Sequence, residues 1–522
     1  MIKKLVKEWK WEIIFGAGII LLAFFLRSYS LTRLPIFADE AIYVRWAQIM
    51  RAEPSLRFVP LSDGKQPLYM WMVIPFFKVI KDPLLAGRFL SVIMGMGTLV
   101  GVFLLTYLLF KNKKAAAVAG LVYAISPFSV FFDRMALVDS MLTFFGVWTL
   151  VLGILTAKTK RLDCAMLTGF ALGGGLLTKS PAIFFVLLLP FTWLLANWTK
   201  SAKGKLGQVI KLLLLYGISL LIGYGLYNIL RLGTNWQMIA IRNKDYIYPL
   251  THFFSSPLDP FKSFILMVIE WFWTLGPGII LVLAGLGIGF TMKKFPKEIL
   301  VLSVWFLGPI LVQSEFAKAF TARYIFFSIP TLFILAASPF VLHKDIVKKI
   351  ATVLLIFFVF LALKNDYYFL TDPEKANLPR SERSGYLEDW TSGTGIKEVG
   401  DFIRQEYLRE PNKKIVVGTE GYFGTLPDGL QIYLNDLREI TVIGVGIDLK
   451  EIPQSLLESK KAGNKTYLVI NSTRFFGNPE KLGLQLLAVY PKAVKPGGAR
   501  ETLLFFEVTP SAIFDKPQAI KI

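Results

Sequence analysis

The feature that most constrains this chain is a recurring pair: apolar stretches of membrane-crossing length, separated by short clusters of lysine and arginine. The clusters are Lys3, Lys4, Lys7 and Lys10; Lys111, Lys113 and Lys114; Lys158, Lys160 and Arg161; Lys200, Lys203 and Lys205; Lys293, Lys294 and Lys297; and Lys344, Lys348 and Lys349. Cytoplasmic loops of membrane proteins carry such an excess of Lys and Arg. With all six clusters in the cytoplasm, each interval between neighbours crosses the bilayer an even number of times. The last run, Ile350 to Leu363, adds one more. A crossing needs roughly 20 residues, so the sum is about eleven helices, with the N-terminus inside and the C-terminus outside. The net charge of +21 belongs to this pattern rather than to a nucleic-acid footprint, because it sits between apolar segments.

Composition closes off other classes. Hydrophobic residues make up 54% and charged residues 18% of the chain, which excludes a soluble enzyme and a disordered chain alike. One cysteine, Cys164, rules out an internal disulfide or a thiolate zinc cluster, and two histidines, His252 and His343, are too few for a His-based metal site. Ile13 to Leu26 reads as a retained helix and not as a signal segment. No small-x-small cleavage site follows it, and Trp9, Trp11 and Tyr29 flank it as interfacial anchors. Leu68 to Ile80 is short and interrupted by Pro75 and Lys78, so it reads as an interfacial helix in a long first external loop, 28–83.

From about Asp366 the composition turns to that of a soluble domain. Ile396–Arg409 has a helical pattern; Lys414–Gly418, Glu439–Val445, Thr466–Asn471 and Glu501–Val508 read as strands; Ser455–Lys461 and Pro479–Leu487 read as helices. The expected architecture is an α-helical polytopic membrane domain, 1–365, followed by an extracytoplasmic α/β domain, 366–522. The glycines of Gly418-Thr-Glu-Gly421-Tyr-Phe-Gly424 do not have the dinucleotide-binding spacing and read as a turn.

Ionisable residues beside membrane helices are site candidates, because keeping them there is costly. On the assigned topology they gather on the external side: Asp39 and Glu40 in the first loop, with Asp63, Lys65 and Tyr69; Arg134 and Asp139 in the second turn; Lys179 in the third; Arg242, Lys244, Asp245 and His252 in the fourth; Glu315, Arg323 and Tyr324 in the fifth. A carboxylate can serve as general base toward a hydroxyl, and a lysine or arginine can neutralise a phosphate leaving group. Outside the cell, nucleotide-activated donors are absent, so the energy for group transfer has to come from a lipid-phosphate bond. A transporter of lipid-linked sugars is the rival reading. It expects polar groups near the midplane, whereas here they lie outside.

Asp39-Glu40 in a long first loop, Lys65-Gln-Pro-Leu-Tyr69-Met-Trp, Ala86-Gly-Arg88-Phe-Leu-Ser, Arg134 through Asp139, Leu176-Leu-Thr-Lys179-Ser-Pro181 and the Arg323-Tyr324 pair occur in one order and on one side. Together they resemble the family of protein O-mannosyltransferases and aminoarabinose (lipid A) transferases, membrane glycosyltransferases of the GT-C fold. The resemblance covers about residues 1–365. It implies inverting transfer of a sugar from a polyprenyl- or dolichyl-phosphate carrier to a hydroxyl of a protein, lipid or glycan, in the plasma membrane among membrane lipids and without nucleic acid. It gives Asp39 the role of base, with Glu40 and Asp139 beside it as catalytic carboxylates. Lys65, Arg134, Lys179, Arg323, Tyr324 and Tyr69 fall to substrate binding. Gln66 stands where the family has a proline, and Ser180 where it has a glycine. No cofactor is implied with certainty; Asp39, Glu40 and Asp139 offer oxygen ligands should a divalent cation take part.

Overall fold

A computed structural model describes residues 10–514; Lys3, Lys4, Lys7 and Trp9 of the sequence argument lie outside the described residues. Two compact units divide the chain. The first takes in the chain up to Leu31, Glu53–Met72 and Arg88–Pro379; the second takes in Thr32–Ala52, Val73–Gly87 and the chain from Arg380 onward.

The first unit is helical. Among the described residues six helices are long and apolar enough to cross a membrane: Pro83–Phe110, Val138–Thr159, Lys203–Leu232, Pro296–Phe316, Ala322–Val341 and Asp345–Thr371. Two further pairs meet the same test only when taken together, Lys113–Ile125 with Pro127–Asp133 (bent by 56°) and Phe261–Thr274 with Ile279–Thr291 (bent by 99°). Both bends have a local cause. Ser126 is extended before Pro127, and Gly276-Pro277-Gly278 interrupts the second pair. Helix Lys10–Ser28 and the shorter apolar helices Leu162–Thr178 and Ser180–Leu195 are further apolar segments, so six helices of crossing length, or eight with the bent pairs, stand among the described residues against the about eleven expected. Leu68–Lys78 is an apolar helix too short to cross, α-helical over Leu68–Val73 and 3₁₀ over Ile74–Lys78.

Buried charge ties the end of the Lys10–Ser28 helix to its neighbours. Arg27 Nε donates to Asp133 Oδ2 at 2.9 Å, and the Tyr123 hydroxyl donates to the same oxygen at 2.9 Å. Arg134 donates to the carbonyls of Leu26, Tyr29 and Ser30, and Arg88 to that of Leu31. A helix leaves its last carbonyls without partners inside the helix; Arg134 satisfies that of Leu26, and the two guanidinium groups together hold the Tyr29–Leu31 carbonyls of the chain just beyond the helix end.

The second unit begins with helix α1 (Ala38–Ala52) and continues with α2 (Ile396–Arg409), α3 (Asp428–Leu434) and α4 (Gln454–Lys461). Its sheet has strands β1 (Ile415–Glu420), β2 (Ile440–Gly446), β3 (Lys465–Asn471), β4 (Leu484–Val494) and β5 (Arg500–Val508), in the order β2-β1-β3-β5-β4. β1 is parallel to β2 and β3, and Val417 faces both Val442 and Tyr467; β5 then runs antiparallel to β3 and β4. One face buries Val416, Leu456, Leu468, Ile470, Phe506 and Val508. Ile396, Val399 and Ile403 bury the apolar stripe of α2, at the helical spacing visible in the sequence. Helix α1 packs on α3: Gln48 Nε2 donates to Ile432 O at 2.9 Å, and Arg45 to Asn435 Oδ1 at 2.5 Å.

One expectation is corrected. Pro479–Leu487 reads as a helix, because Leu, Lys and Gln favour helices locally. Instead a turn leads into β4 from Leu484, where Leu484 pairs with Val508 and Leu486 with Phe506. Long-range pairing with β5 overrides local propensity. As an edge strand β4 also tolerates Pro491, next to which the register shifts.

Candidate active site

The site in the first unit is built on the turn Asp63-Gly64-Lys65-Gln66. The 3₁₀ segment Val59–Asp63 ends at Gly64, whose φ of +69° favours glycine and whose N–H closes on Leu61 O. Space demands glycine as well. A Cβ there would stand 2.7 Å from Arg242 Cβ and 2.8 Å from Met238 O, so the turn lies directly on helix Met238–Tyr246. That contact brings Arg242 to 3.1 Å from the Asp63 carboxylate, which also has Lys65 at 3.8 Å. Asp63, aided by Asp245, holds the Arg242 guanidinium above its ordinary range. Lys65 Nζ lies 6.0 Å from the centre of the Tyr246 ring.

Lys179 joins from the break between Leu162–Thr178 and Ser180–Leu195, where it is extended ahead of Pro181. Its ammonium is 2.7 Å from Asp139 Oδ1 and 4.3 Å above the Tyr324 ring; Arg323 lies 5.5 Å from the same ring. Ser180 Oγ accepts from Gln66 Nε2 at 2.9 Å, so the two positions that depart from the resembled motifs bond to each other.

A cavity of about 1070 Å³ opens among these groups. Asp63, Lys65, Lys179, Arg242 and Tyr324 line its polar part, and Leu172, Leu176, Phe184, Leu187, Leu220 and Val312 its apolar walls. Cations at one part and an apolar run beyond them suit an amphiphile with an anionic head.

The remaining candidates sit elsewhere. Tyr69 is fully buried, with its hydroxyl 2.9 Å from Ser91 Oγ, and Arg134 is buried against main-chain carbonyls; neither lines the cavity. Asp39 and Glu40 belong to the second unit, in the first turn of α1, where negative charge is favoured by the helix terminus. Glu40 is fully buried and accepts from Phe37 N–H at 3.0 Å, the return half of a capping box. Asp39 is half-buried beside it. The Ala38 N–H donates to Thr391 O, and Phe37 bridges to Ser392, which fixes this turn on the chain after Arg380. His252 bonds through Nε2 to Asp259 O and stacks on Tyr248. Among the described residues no three His, Cys, Asp or Glu side chains gather as a metal site.

Asp63 and Arg242 stand among the external ionisable residues of the sequence but received no site role there, and Gln66 and Ser180 figured only as departures from the resembled motifs. A loop arginine is indistinguishable from a solvated one until its helix is seen lying on Gly64. The available signal was the Asp-Gly-Lys turn itself.

Residues 64–222 match the family model described as dolichyl-phosphate-mannose-protein mannosyltransferase. No curated protein matches the chain. Among solved structures it is similar to ArnT from Cupriavidus metallidurans in the apo state (16% identity, TM-score 0.57), covering 98% of this chain and 100% of that one. The same protein bound to undecaprenyl phosphate gives 15% identity and a TM-score of 0.55, over 98% of this chain and 100% of that chain. With a segment that matches the mannosyltransferase family model and spans Lys65, Asp139 and Lys179, and a fold followed over nearly its whole length, the chain has the GT-C fold of polytopic membrane glycosyltransferases.

Proposed function

We propose that the protein transfers a sugar from a polyprenyl-phosphate carrier to an acceptor hydroxyl at the outer face of the plasma membrane, with inversion at the anomeric carbon. The observation that carries this reading is the cavity of about 1070 Å³, in which Lys65, Lys179 and Arg242 stand beside apolar walls formed by Leu172, Leu176, Phe184 and Leu187. Such a cavity suits a phosphate on a long hydrocarbon. The solved relative ArnT is named as binding undecaprenyl phosphate, which supports the same donor class here.

In the reaction the acceptor oxygen bonds to the anomeric carbon as the bond to the phosphate oxygen breaks. The hydroxyl proton passes to the Asp39 carboxylate, and the bonding pair leaves on the phosphate. Lys65, Lys179, Arg242 and Arg323 offset the charge that builds there, an effect that strengthens toward the transition state. Tyr324 presents its ring to the Lys179 ammonium and keeps it placed. Asp139 holds Lys179 from the other side. Glu40 orients the turn that bears Asp39, while Tyr69 and Arg134 act on substrate binding through the position of the first external loop. The segment after Arg380 is extracytoplasmic and meets the acceptor.

The test pairs binding with turnover in membranes of the full chain. Undecaprenyl phosphate affinity is expected to fall about tenfold or more in Lys65→Ala and in Arg242→Ala, as each removes a charge-assisted contact. Asp39→Asn is expected to keep that affinity and lose transfer. Unchanged affinity in both cation variants, or near-normal transfer by Asp39→Asn, would remove the reading.

A further inference from the structure

The second unit contains a cavity of its own, about 710 Å³ in volume, unconnected in residues with the one above. Helix α1 supplies Gln48 and Arg51 to its wall, the segment before Pro83 supplies Lys81 and Asp82, and α2 supplies Lys397, Asp401 and Arg404. We propose that this cleft binds a neutral oligosaccharide, the part of the acceptor that extends beyond the reacting hydroxyl; the link to the reaction rests on the function proposed above.

Three properties of the cleft select that ligand class. Its charges nearly balance: Arg51, Lys81, Lys397 and Arg404 stand against Asp82, Asp401 and Asp436, which disfavours a polyanion. Several are fixed before any ligand arrives. Lys397 lies 3.2 Å from Asp82, and Arg404 clamps Asp436 with two bonds of 2.6 and 2.8 Å while also donating to Tyr433 O at 2.6 Å. The result is a set of planar carboxylate, amide and guanidinium groups at set angles. Sugar hydroxyls, which donate and accept at once, are matched by such alternating partners. Tyr433, Phe77 and Ile80 add the apolar faces on which the C–H side of a sugar ring rests.

Other occupants fit less well. A peptide held by strand addition needs a free sheet edge, and the edge strands β2 and β4 do not line the cleft. A lipid chain needs continuous apolar walls, which the seven charged residues interrupt. Position supports the acceptor role. Gln48 and Arg51 follow Asp39 on the same helix, and at 1.5 Å per residue they lie about 14 Å and about 18 Å along its axis. A short run of sugar units covers such a distance.

The experiment uses the full chain in nanodiscs and three neutral linear probes: maltotetraose, mannotetraose and an arabinofuranose tetrasaccharide. Binding is read by saturation-transfer NMR and calorimetry, with a neutral Ser/Thr heptapeptide and undecaprenyl phosphate measured alongside. At least one tetrasaccharide is expected to bind, and the exposed pair Lys81→Ala with Asp401→Ala is expected to weaken it at least tenfold. Asp401→Trp, which fills the cleft from its rim, is expected to abolish binding. Undecaprenyl phosphate affinity is expected to stay within twofold in all variants. The proposal is overturned when no tetrasaccharide binds, when binding ignores these variants, or when the heptapeptide binds there instead. Loss of undecaprenyl phosphate binding in the unmodified chain, with tetrasaccharide binding intact and cleft-dependent, would strike the donor reading while supporting the cleft.

Discussion

The Lys179 ammonium lies 2.7 Å from the Asp139 carboxylate, 40 positions earlier in the chain, and only 2% of the Asp139 side chain is exposed. Asp139 Oδ2 has no hydrogen-bond partner among the described residues. The pair is therefore one interaction deep, and its worth lies in what happens when half is removed.

Lys179→Ala strands a buried carboxylate. The expected loss of stability is about 3–5 kcal/mol, read by thermal unfolding in detergent. Replacing both partners, Lys179→Met with Asp139→Leu, is expected to recover most of it. A single variant as stable as the unmodified chain would show that the pair holds nothing in place.

Gly64→Ala tests the close approach of the first loop to the Met238–Tyr246 helix. A non-glycine residue in the left-handed region costs about 1–2 kcal/mol, and the new Cβ also has to displace Arg242 Cβ and Met238 O. Stability is expected to drop modestly and undecaprenyl phosphate affinity about tenfold, because Arg242 moves with its helix. Equal affinity would separate Arg242 from the phosphate.

Arg134 is placed to hold the end of helix Lys10–Ser28 by forked bonds to several carbonyls. A lysine offers no such fork. Arg134→Lys is expected to cost about 1–3 kcal/mol in stability, with undecaprenyl phosphate affinity falling only in step with that loss. A selective loss of affinity at full stability would make Arg134 a direct ligand.

The pH response of the second unit turns on Lys492. Burial pushes its ammonium down to about 8, with Glu501, Glu420 and Asp389 opposing the shift, and its Nζ donates to Asp389 O and Ser392 O. Between about pH 8 and the ordinary lysine value near 10.4, the unfolded chain binds more protons than the folded one, so stability rises with pH across that window. The gain is about 3 kcal/mol. Lys492→Met is expected to flatten the rise in thermal melts from pH 7 to 10.5; an unchanged slope would assign it to other groups.

How far could the residues alone be followed? The long apolar helices were legible because lysine clusters separate apolar runs of crossing length, although among the described residues six helices, or eight with the bent pairs, pass that test against about eleven expected crossings. The strands β1, β2, β3 and β5 were legible because Val, Ile and Thr recur between turn residues. β4 was not, since Leu-Gln-Leu-Leu-Ala has no strand preference until β5 is beside it. Of the cavity lining, Lys65, Lys179 and Tyr324 were singled out by charge and aromaticity in turns between apolar segments. Arg242 was visible as one of several loop charges but carried no role, because its placement depends on a glycine 178 positions earlier that no local pattern connects to it. Composition also marks a change near Asp366 but carries no sign that Ala38–Ala52 packs with the chain after Arg380.

That packing has a consequence for how the protein is made. Helix α1 buries Ile42, Tyr43, Trp46 and Met50, yet α3, on which it packs, ends at Leu434. At translation speeds of about 5–20 residues per second, α1 waits roughly 20–80 s after synthesis for that surface to emerge. During this interval its tryptophan and tyrosine have no finished partner, so the nascent chain offers a sticky helix to chaperones or to lipid. A ribosome that stalls before residue 434 leaves behind an α1 with no α3 to cover its apolar face.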